Sequence, residues 1–330
     1  MNKRRLLFIF LLSCFFLTGV VSGTQAPQVN TVHLLNTVDD RVISDTDNDQ
    51  LSNRAEVYFG TDPNDSDSDN DGFNDGIEVN PDTAIGEQAN PLQKDIFIDI
   101  TRVRGSEKIS QESIAKINNT FKTAPVTNEY STNGINVHIK QTTTSSDEIT
   151  EKESLSYNEY SWAYYDESVN EFRNKGFYHV LLVENATLEG EQNIIGVTNP
   201  SSLTKQSRLS PSFDGMLVER NPSEGSTIIH ELGHQFGLQT SVYEGVDSYE
   251  KSWSKYPSVM NYNEKEVCTI QILNYDCHEK AGDTFSEQKG FNDWEYIENN
   301  FTKTQATYEQ NINTKQVPYT VRDILIDSQY

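Results

Sequence analysis

The sequence predicts an α/β (α+β) fold in which helices cover a sheet and a small segment of acidic loops comes first. Three observations predict it. Short apolar or β-branched stretches alternate with segments whose apolar residues recur at helical spacing, a pattern typical of a sheet covered by helices. The acidic segment near the start is too charged to build a core of its own. The chain of 330 residues has room for one ordinary domain and a smaller appendage.

The first 23 residues have the features of an export signal. Basic residues at positions 3–5 precede an apolar run at 6–17, and the small-residue pattern Val21-Ser22-Gly23 follows. A membrane anchor is one alternative, but the run is shorter than the roughly 20 residues of a spanning helix. A lipoprotein signal that leaves an acylated Cys14 is another. We therefore expect a secreted, extracellular protein with no stable membrane span.

The composition excludes one class of partner and bears on the cysteines. The formal net charge is −24, and a chain this acidic lacks the basic surface that binds nucleic acid. Once the signal is removed, Cys268 and Cys277 are the remaining cysteines. In an oxidising compartment two cysteines this close in sequence are expected to form a disulfide bond, the alternative being two free thiols.

An N-terminal segment, residues 24–90, carries two acidic repeats that start 22 residues apart, at 45–56 and 67–78. Each reads Asp-x-Asp-x-Asp with a Glu at the twelfth position. Calcium takes about six to eight oxygen ligands, which carboxylates at this spacing supply around one tight turn. The predicted ligands are Asp45, Asp47, Asp49, Asn53 and Glu56 in the first loop and Asp67, Asp69, Asp71, Asp75 and Glu78 in the second.

The second loop fits the calcium pattern better than the first. Gly72 stands where the second loop turns sharply, whereas Gln50 occupies that position in the first, so we expect the first site to be weaker. The repeats resemble the calcium-binding repeats of thrombospondin type 3 and dockerin-like modules. The alternative is a solvated acidic linker without calcium, because like charges at this density repel one another.

Sheet and helix patterns follow the acidic segment in a region that we assign to residues 91–302, with a polar tail at 303–330. Ser110 caps a predicted helix whose apolar stripe includes Ile114, Ile117 and Phe121. Phe291, Trp294, Ile297 and Phe301 recur at helical spacing near the end. Strands are predicted at 94–100, 135–140, 177–183 and 215–220.

The stretch HELGHQFG, which starts at His230, carries the chemistry. Asn221 and Pro222 predict a helix start at about residue 222, and Gly237 predicts its end. In that helix His230 and His234 lie one turn apart on the face opposite the apolar residues. Two imidazoles in this arrangement can hold a zinc ion, which leaves Glu231 to act as general base on a water bound to the metal.

A second motif, SVMNY at residues 258–262, follows the helix. Together with HELGHQFG it resembles the metzincin metalloproteases, whose Met-containing turn lies beneath the zinc. The resemblance implies a twisted mixed sheet, an active-site helix, a C-terminal helix, and hydrolysis of protein or peptide substrates. By the same resemblance Met260 supports the site, and Tyr262 lies near the metal, where its phenol either donates to a developing oxyanion or packs.

The sequence departs from the metzincin pattern at the third zinc ligand. Thr240 stands where that family has its third ligand, and a neutral hydroxyl is a poor zinc ligand. Asp247 ranks first as a replacement, since some members of the wider family use Asp. Glu244 and His278 follow, and the ligand could also be absent. A different zinc protease clan, with its third ligand at Glu295 or Glu298, is disfavoured by the Met-turn.

These features predict a secreted zinc endopeptidase with calcium-binding repeats. The general base is Glu231, and Tyr262 is the second catalytic candidate. The predicted zinc ligands are His230, His234 and Asp247. The alternative is a calcium-dependent surface or adhesion module whose protease domain is degenerate. Thr240 keeps this alternative open, whereas an intact Glu231 has no purpose in a zinc site without catalysis.

Overall fold

The computed structural model describes residues 44–81, 83, 85–103, 105–128, 132–143, 155–156, 176–188, 192–198, 215–263, 265–271, 274–280, 284–288 and 291–304. All of them belong to one compact unit, residues 43–330. The expected export signal with Cys14, and the tail beyond residue 304, lie outside the described residues.

The described strands form one main sheet and two small ones. In chain order they are β1 (Asp95–Arg102), β2 (Asn136–Thr143), β3 (Leu155–Ser156), β4 (Phe177–Val183), β5 (Ala186–Leu188), β6 (Gln192–Ile194), β7 (Gly196–Thr198), β8 (Gly215–Glu219), β9 (Lys265–Gln271) and β10 (Asn274–Lys280). The main sheet has the order β2-β1-β4-β8-β7. Its first four strands are parallel, and β7 pairs with β8 in the antiparallel direction.

The mixed α/β fold is confirmed, and each of the four predicted strands has a counterpart in the sheet. Strand β7 was not predicted, because three residues are too few to show a strand period. The hairpin β9–β10, in which Cys268 lies opposite Cys277 in the backbone register, was not predicted either. The cysteine side chains lie outside the described part of the structure, so the disulfide stays a prediction.

The described helices are α1 (Asn53–Phe59), α2 (Asp75–Glu78), α3 (Gln111–Lys122), α4 (Glu224–Gln235) and α5 (Asp293–Thr304). Ser110 caps α3 as predicted, accepting a hydrogen bond from the Ser113 N–H. Helix α4 begins two residues later than predicted, because the Asn221 side chain accepts the Ser223 N–H in a local turn. Within the described ranges, no helix is both long and apolar enough to cross a membrane.

The two faces of the sheet bury different partners. Along β1, the isoleucines at 96, 98 and 100 join the main core together with residues of α3, α4 and α5. Phe97, which alternates with them, belongs to a second cluster that includes Phe73 and Ile77 of the acidic segment. Since successive strand residues point to opposite faces, the acidic segment packs on one face of the sheet and the long helices on the other.

Candidate functional site

Helix α4 presents two imidazoles with their free nitrogens together. The Nε2 atoms of His230 and His234 are 3.2 Å apart. His230 Nδ1 lies 2.8 Å from the Val259 carbonyl oxygen, and His234 Nδ1 lies 2.7 Å from that of Leu238. A carbonyl only accepts, so both Nδ1 atoms carry the proton and both Nε2 atoms of the neutral rings present lone pairs.

Asp247 brings a third lone pair to the same point. Its Oδ1 lies 3.2 Å from His230 Nε2 and 3.4 Å from His234 Nε2. Ligands of a tetrahedral zinc ion, bound at about 2.0–2.1 Å, are about 3.3 Å from one another. The three atoms therefore have the spacing of one zinc coordination face, and the donor set of two imidazoles and a carboxylate fits that metal.

The backbone after α4 explains how Asp247 reaches the histidines. Gly237 has a φ of 91°, which turns the chain back at the predicted helix end. Val246 is buried in the core, and Asp247 takes a left-handed φ of 53°, which Asp tolerates better than most residues. The Asp247 N–H donates to the Met260 carbonyl oxygen at 2.9 Å. The Met260 turn thereby fixes the backbone of this candidate ligand.

The pKa shifts of Asp247 and His234 indicate that the site favours positive charge. Burial alone would raise the pKa of Asp247, but the two histidines together hold it below its usual value. For His234 burial lowers the pKa, yet the hydrogen bond to Asp247 and the nearby carboxylate of Glu231 raise it overall. A proton shared between His234 and Asp247 is therefore the competitor of a metal ion at this position.

The other candidate third ligands lie elsewhere. Thr240 is exposed, and so is Glu244, whose carboxylate pairs with the Lys251 ammonium group. Glu295 is exposed on α5, and Glu298 Oε1 accepts the Thr127 N–H at 2.9 Å. The side chain of His278 is outside the described residues.

The Glu231 side chain on α4 packs against the edge strand β7. The side chain is buried, and a Cβ added at Gly196 would come within 2.7 Å of Glu231 Oε1. The Gly196 backbone therefore packs closely against this carboxylate. Burial raises the pKa of Glu231, the two histidines in their protonated form oppose that rise, and Asp247 adds to it. The carboxyl group is accordingly more basic than an exposed glutamate.

Tyr262 stands at the rim of the histidine pair. Its ring stacks on that of His230, with centroids 5.7 Å apart and an interplanar angle of 17°, and 42% of the residue is exposed. Burial of the phenol raises its pKa, and the neighbouring carboxylates of Asp247 and Glu231 raise it further. The phenol therefore keeps its proton at neutral pH and is able to donate it in a hydrogen bond.

The turn at Ser258–Tyr262 supports the site from below. Met260 is fully buried, and a Cβ at Gly233 would lie 2.4 Å from its Sδ, so the turn packs directly against α4. The Met260 N–H donates to Ser258 Oγ at 3.0 Å. Ser258 Oγ in turn donates to Asp293 on α5. Asp293 also accepts the Tyr256 hydroxyl at 2.7 Å and the Ser286 N–H at 2.8 Å.

Asp293→Ala is expected to lower the free energy of unfolding by about 2–4 kcal/mol, because it leaves three buried donors without an acceptor. The same change should weaken zinc binding, since the turn that positions His230 and Asp247 loses its anchor. Denaturant unfolding and a zinc titration measure the two effects. Glu295→Ala, an exposed acid on the same helix, is the matched control, and an equal loss in both variants would contradict this role for Asp293.

The two acidic loops have equivalent backbone geometry. Asp45 accepts the N–H groups of Asn48 and Gln50, and Asp67 accepts those of Asp71 and Gly72. Gln50 takes a left-handed φ of 79° where Gly72 has 101°. This conformation costs a non-glycine residue about 1–2 kcal/mol. The first loop is therefore the more strained one, in line with the weaker site expected there.

Buried carboxylates without partners point into both loops. No described residue donates a hydrogen bond to either carboxylate oxygen of Glu56 in the first loop, or of Asp69 and Glu78 in the second. Buried charges are normally paired or bind a metal, because leaving them alone costs several kcal/mol. The residues present therefore fit hard divalent cations such as calcium.

The pKa values of the loop carboxylates respond to this crowding. Burial raises the pKa of Glu56 to about 8 and that of Asp49 to about 7, with neighbouring aspartates adding to each rise. In the second loop burial and Asp67 raise the pKa of Asp69 to about 8. Burial and neighbouring acids hold the pKa of Asp71 and Glu78 well above the ordinary values. Ionised together, these groups need a cation beside them.

The structure brings most predicted loop ligands together but groups some differently. Acidic groups close enough to share an ion are Asp45, Asp47 and Asp49; Asp49, Glu56 and Asp75; Asp67, Asp69 and Asp71; and Asp71, Glu78 and Asp95. The amide of Asn53 bonds to Thr46. Asp75, assigned by spacing to the second loop, lies with the first. Asp95 was missed because it lies beyond both repeats, and no sequence signal marks it.

Comparison with known proteins agrees with the interpretation of the acidic loops as calcium-binding repeats. Residues 45–66 and 67–81 match the bacterial TSP3 repeat family. No curated protein matches the chain. The repeats indicate a calcium-binding module within a mixed α/β protein.

Proposed function

We propose that this protein is an exported zinc-dependent endopeptidase of metzincin type, stabilised by calcium in its N-terminal repeats. The observation that carries the proposal is the convergence of three lone-pair atoms, from His230, His234 and Asp247, at mutual distances of 3.2–3.4 Å. Such an arrangement is repulsive unless a proton or a metal cation is shared among the three atoms, and the donor set of two imidazoles and a carboxylate suits zinc. Zinc held there supplies a Lewis acid that polarises a carbonyl and lowers the pKa of a bound water toward about 7.

Glu231 is the proposed general base. It is buried beside the histidine pair, its pKa is raised, and its donor atoms are not part of the three-residue metal cluster. It accepts a proton from the attacking water and passes that proton to the leaving amine. Tyr262, whose phenol stays protonated at the rim, donates a hydrogen bond to the oxyanion that develops on the carbonyl.

The edge strand β7 is the proposed binding place of an extended peptide substrate. Among the described strands it pairs only with β8, so its other edge has no strand partner within the described ranges. An extended peptide can add to such an edge by main-chain hydrogen bonds. Because Gly196 of β7 lies against Glu231, a peptide bound along this edge would pass the general base.

The test is cleavage of protein substrates by the purified chain. We expect cleavage with one zinc per chain, loss of cleavage after zinc is removed by a chelator in excess calcium, and recovery when zinc is returned. The second candidate is a calcium-dependent adhesion module with an inactive protease domain. The calcium-binding repeats are equally compatible with this candidate and with the endopeptidase. Stoichiometric zinc with no cleavage of folded or unfolded substrates would select this second candidate.

A further inference from the structure

Each acidic loop is completed by a carboxylate from beyond its own repeat. Asp75, in the second repeat, lies with Asp49 and Glu56 of the first. Asp95, the first residue of β1, lies with Asp71 and Glu78 of the second. In both groups the ligand atoms lie within 4.8 Å of one another.

The glutamate in each group is a buried side chain without a hydrogen-bond partner. Glu56 is 0% exposed and Glu78 is 1% exposed. None of their carboxylate oxygens accepts a hydrogen bond from the described residues. Burying such a carboxylate is costly unless a cation binds it. This observation is independent of the clustering and indicates that a cation belongs at each point.

The backbone repeats the same contact in both places. Asp49 Oδ2 accepts the Gly76 N–H at 2.9 Å, and Asp71 Oδ2 accepts the Asp95 N–H at 2.8 Å. The start of β1 therefore makes the same kind of hydrogen bond to the second repeat as the second repeat makes to the first. In effect, the sheet supplies the segment that a third repeat would supply.

The neighbours of Asp95 fix its carboxylate. His138 Nε2 on β2 lies 2.5 Å from Asp95 Oδ1, and the Asn90 N–H donates to Asp95 Oδ2 at 2.7 Å. Lys94, next to it, donates to the Asp69 carbonyl oxygen. This ammonium group brings one positive charge to the second loop. One charge is too little to neutralise the carboxylates grouped there, which are those of Asp67, Asp69, Asp71, Glu78 and Asp95.

We propose that Asp95 is a calcium ligand of the second loop, so that this ion fastens the repeat segment to β1 of the main sheet. We further infer that the two loops bind calcium cooperatively. Helix α2 is four residues long and presents Asp75 to the first site and Glu78 to the second. An ion that orders this helix at one site places the ligand of the other. Neither claim depends on the proposed hydrolase.

Calcium titration calorimetry on the calcium-free full chain tests both claims. The wild type is expected to bind two calcium ions per chain with positive cooperativity. Asp95→Asn, which keeps the size of the side chain, should weaken binding at one site at least tenfold and at the other site severalfold. Glu87→Gln removes one exposed negative charge from the same segment and should leave the isotherm unchanged.

Two results would overturn the proposal. If Asp95→Asn binds calcium as Glu87→Gln does, Asp95 is not a ligand. If the wild-type isotherm fits two independent sites, the coupling through α2 is absent. Should Asp95→Asn fail to fold, terbium bound to wild-type crystals still decides the first claim. The anomalous signal is expected to locate a terbium ion in contact with the Asp95 carboxylate. A terbium ion that binds the second loop without touching that carboxylate would contradict the assignment.

Discussion

Glu231→Gln is expected to keep zinc and lose about 10²–10⁴-fold in turnover, the usual contribution of a general base. Zinc should stay because the donor atoms that converge belong to His230, His234 and Asp247 and not to Glu231. Turnover should fall because an amide cannot accept the proton of the attacking water. Steady-state cleavage of a peptide, beside metal analysis of the same sample, measures both.

The control for Glu231→Gln is Glu244→Gln. Glu244 is an exposed acid on the loop after α4, and its carboxylate pairs with the Lys251 ammonium group. This variant should cleave like the wild type. If Glu231→Gln also retained wild-type turnover, the hydrolytic mechanism would be wrong, even with zinc in place.

Removal of calcium is expected to destabilise the chain strongly at pH 8 and weakly at pH 5. At a calcium concentration about 1,000 times the dissociation constant, each site contributes about 4 kcal/mol, which corresponds to roughly 10 °C in Tm. Thermal unfolding with calcium, or with a calcium chelator, measures the difference at each pH.

The pH dependence follows from the raised carboxyl pKa values. In the calcium-free folded state the pKa of Glu56 and Asp69 is about 8 and that of Asp49 about 7. The unfolded chain loses these protons near pH 4. Between those values the folded state binds more protons, so calcium-free stability falls as pH rises from about 4 to 8. Calcium replaces the protons and should remove that fall. An equal effect of calcium at pH 5 and pH 8 would contradict this account of the loops.

Local patterns in the sequence predicted the elements that have enough residues to show a period. The alternation along β1 and the histidine spacing on α4 are of this kind. Asp247 ranked first among the third-ligand candidates, and the structure places its carboxylate beside both histidines. That position depends on the Met260 carbonyl, which holds the Asp247 backbone, and no spacing rule contains this contact.

The features that the sequence did not predict depend on contacts between distant segments. Strand β7 is three residues long and exists because it pairs with β8. Asp75 joins the first acidic loop and Asp95 joins the second because the segments pack together. The repeat period relates each residue only to its own loop, so it could not assign either of them.

Zinc titration of the wild type, Asp247→Ala and Glu244→Ala is the most direct test of the proposed metal centre. The wild type and Glu244→Ala are predicted to bind one zinc ion per chain with equal affinity. Asp247→Ala should bind more than about 100-fold less tightly, since changes outside the ligand set alone cost 10–100-fold. Equal zinc affinity in Asp247→Ala and Glu244→Ala, or no zinc in the wild type, would contradict a centre built from His230, His234 and Asp247.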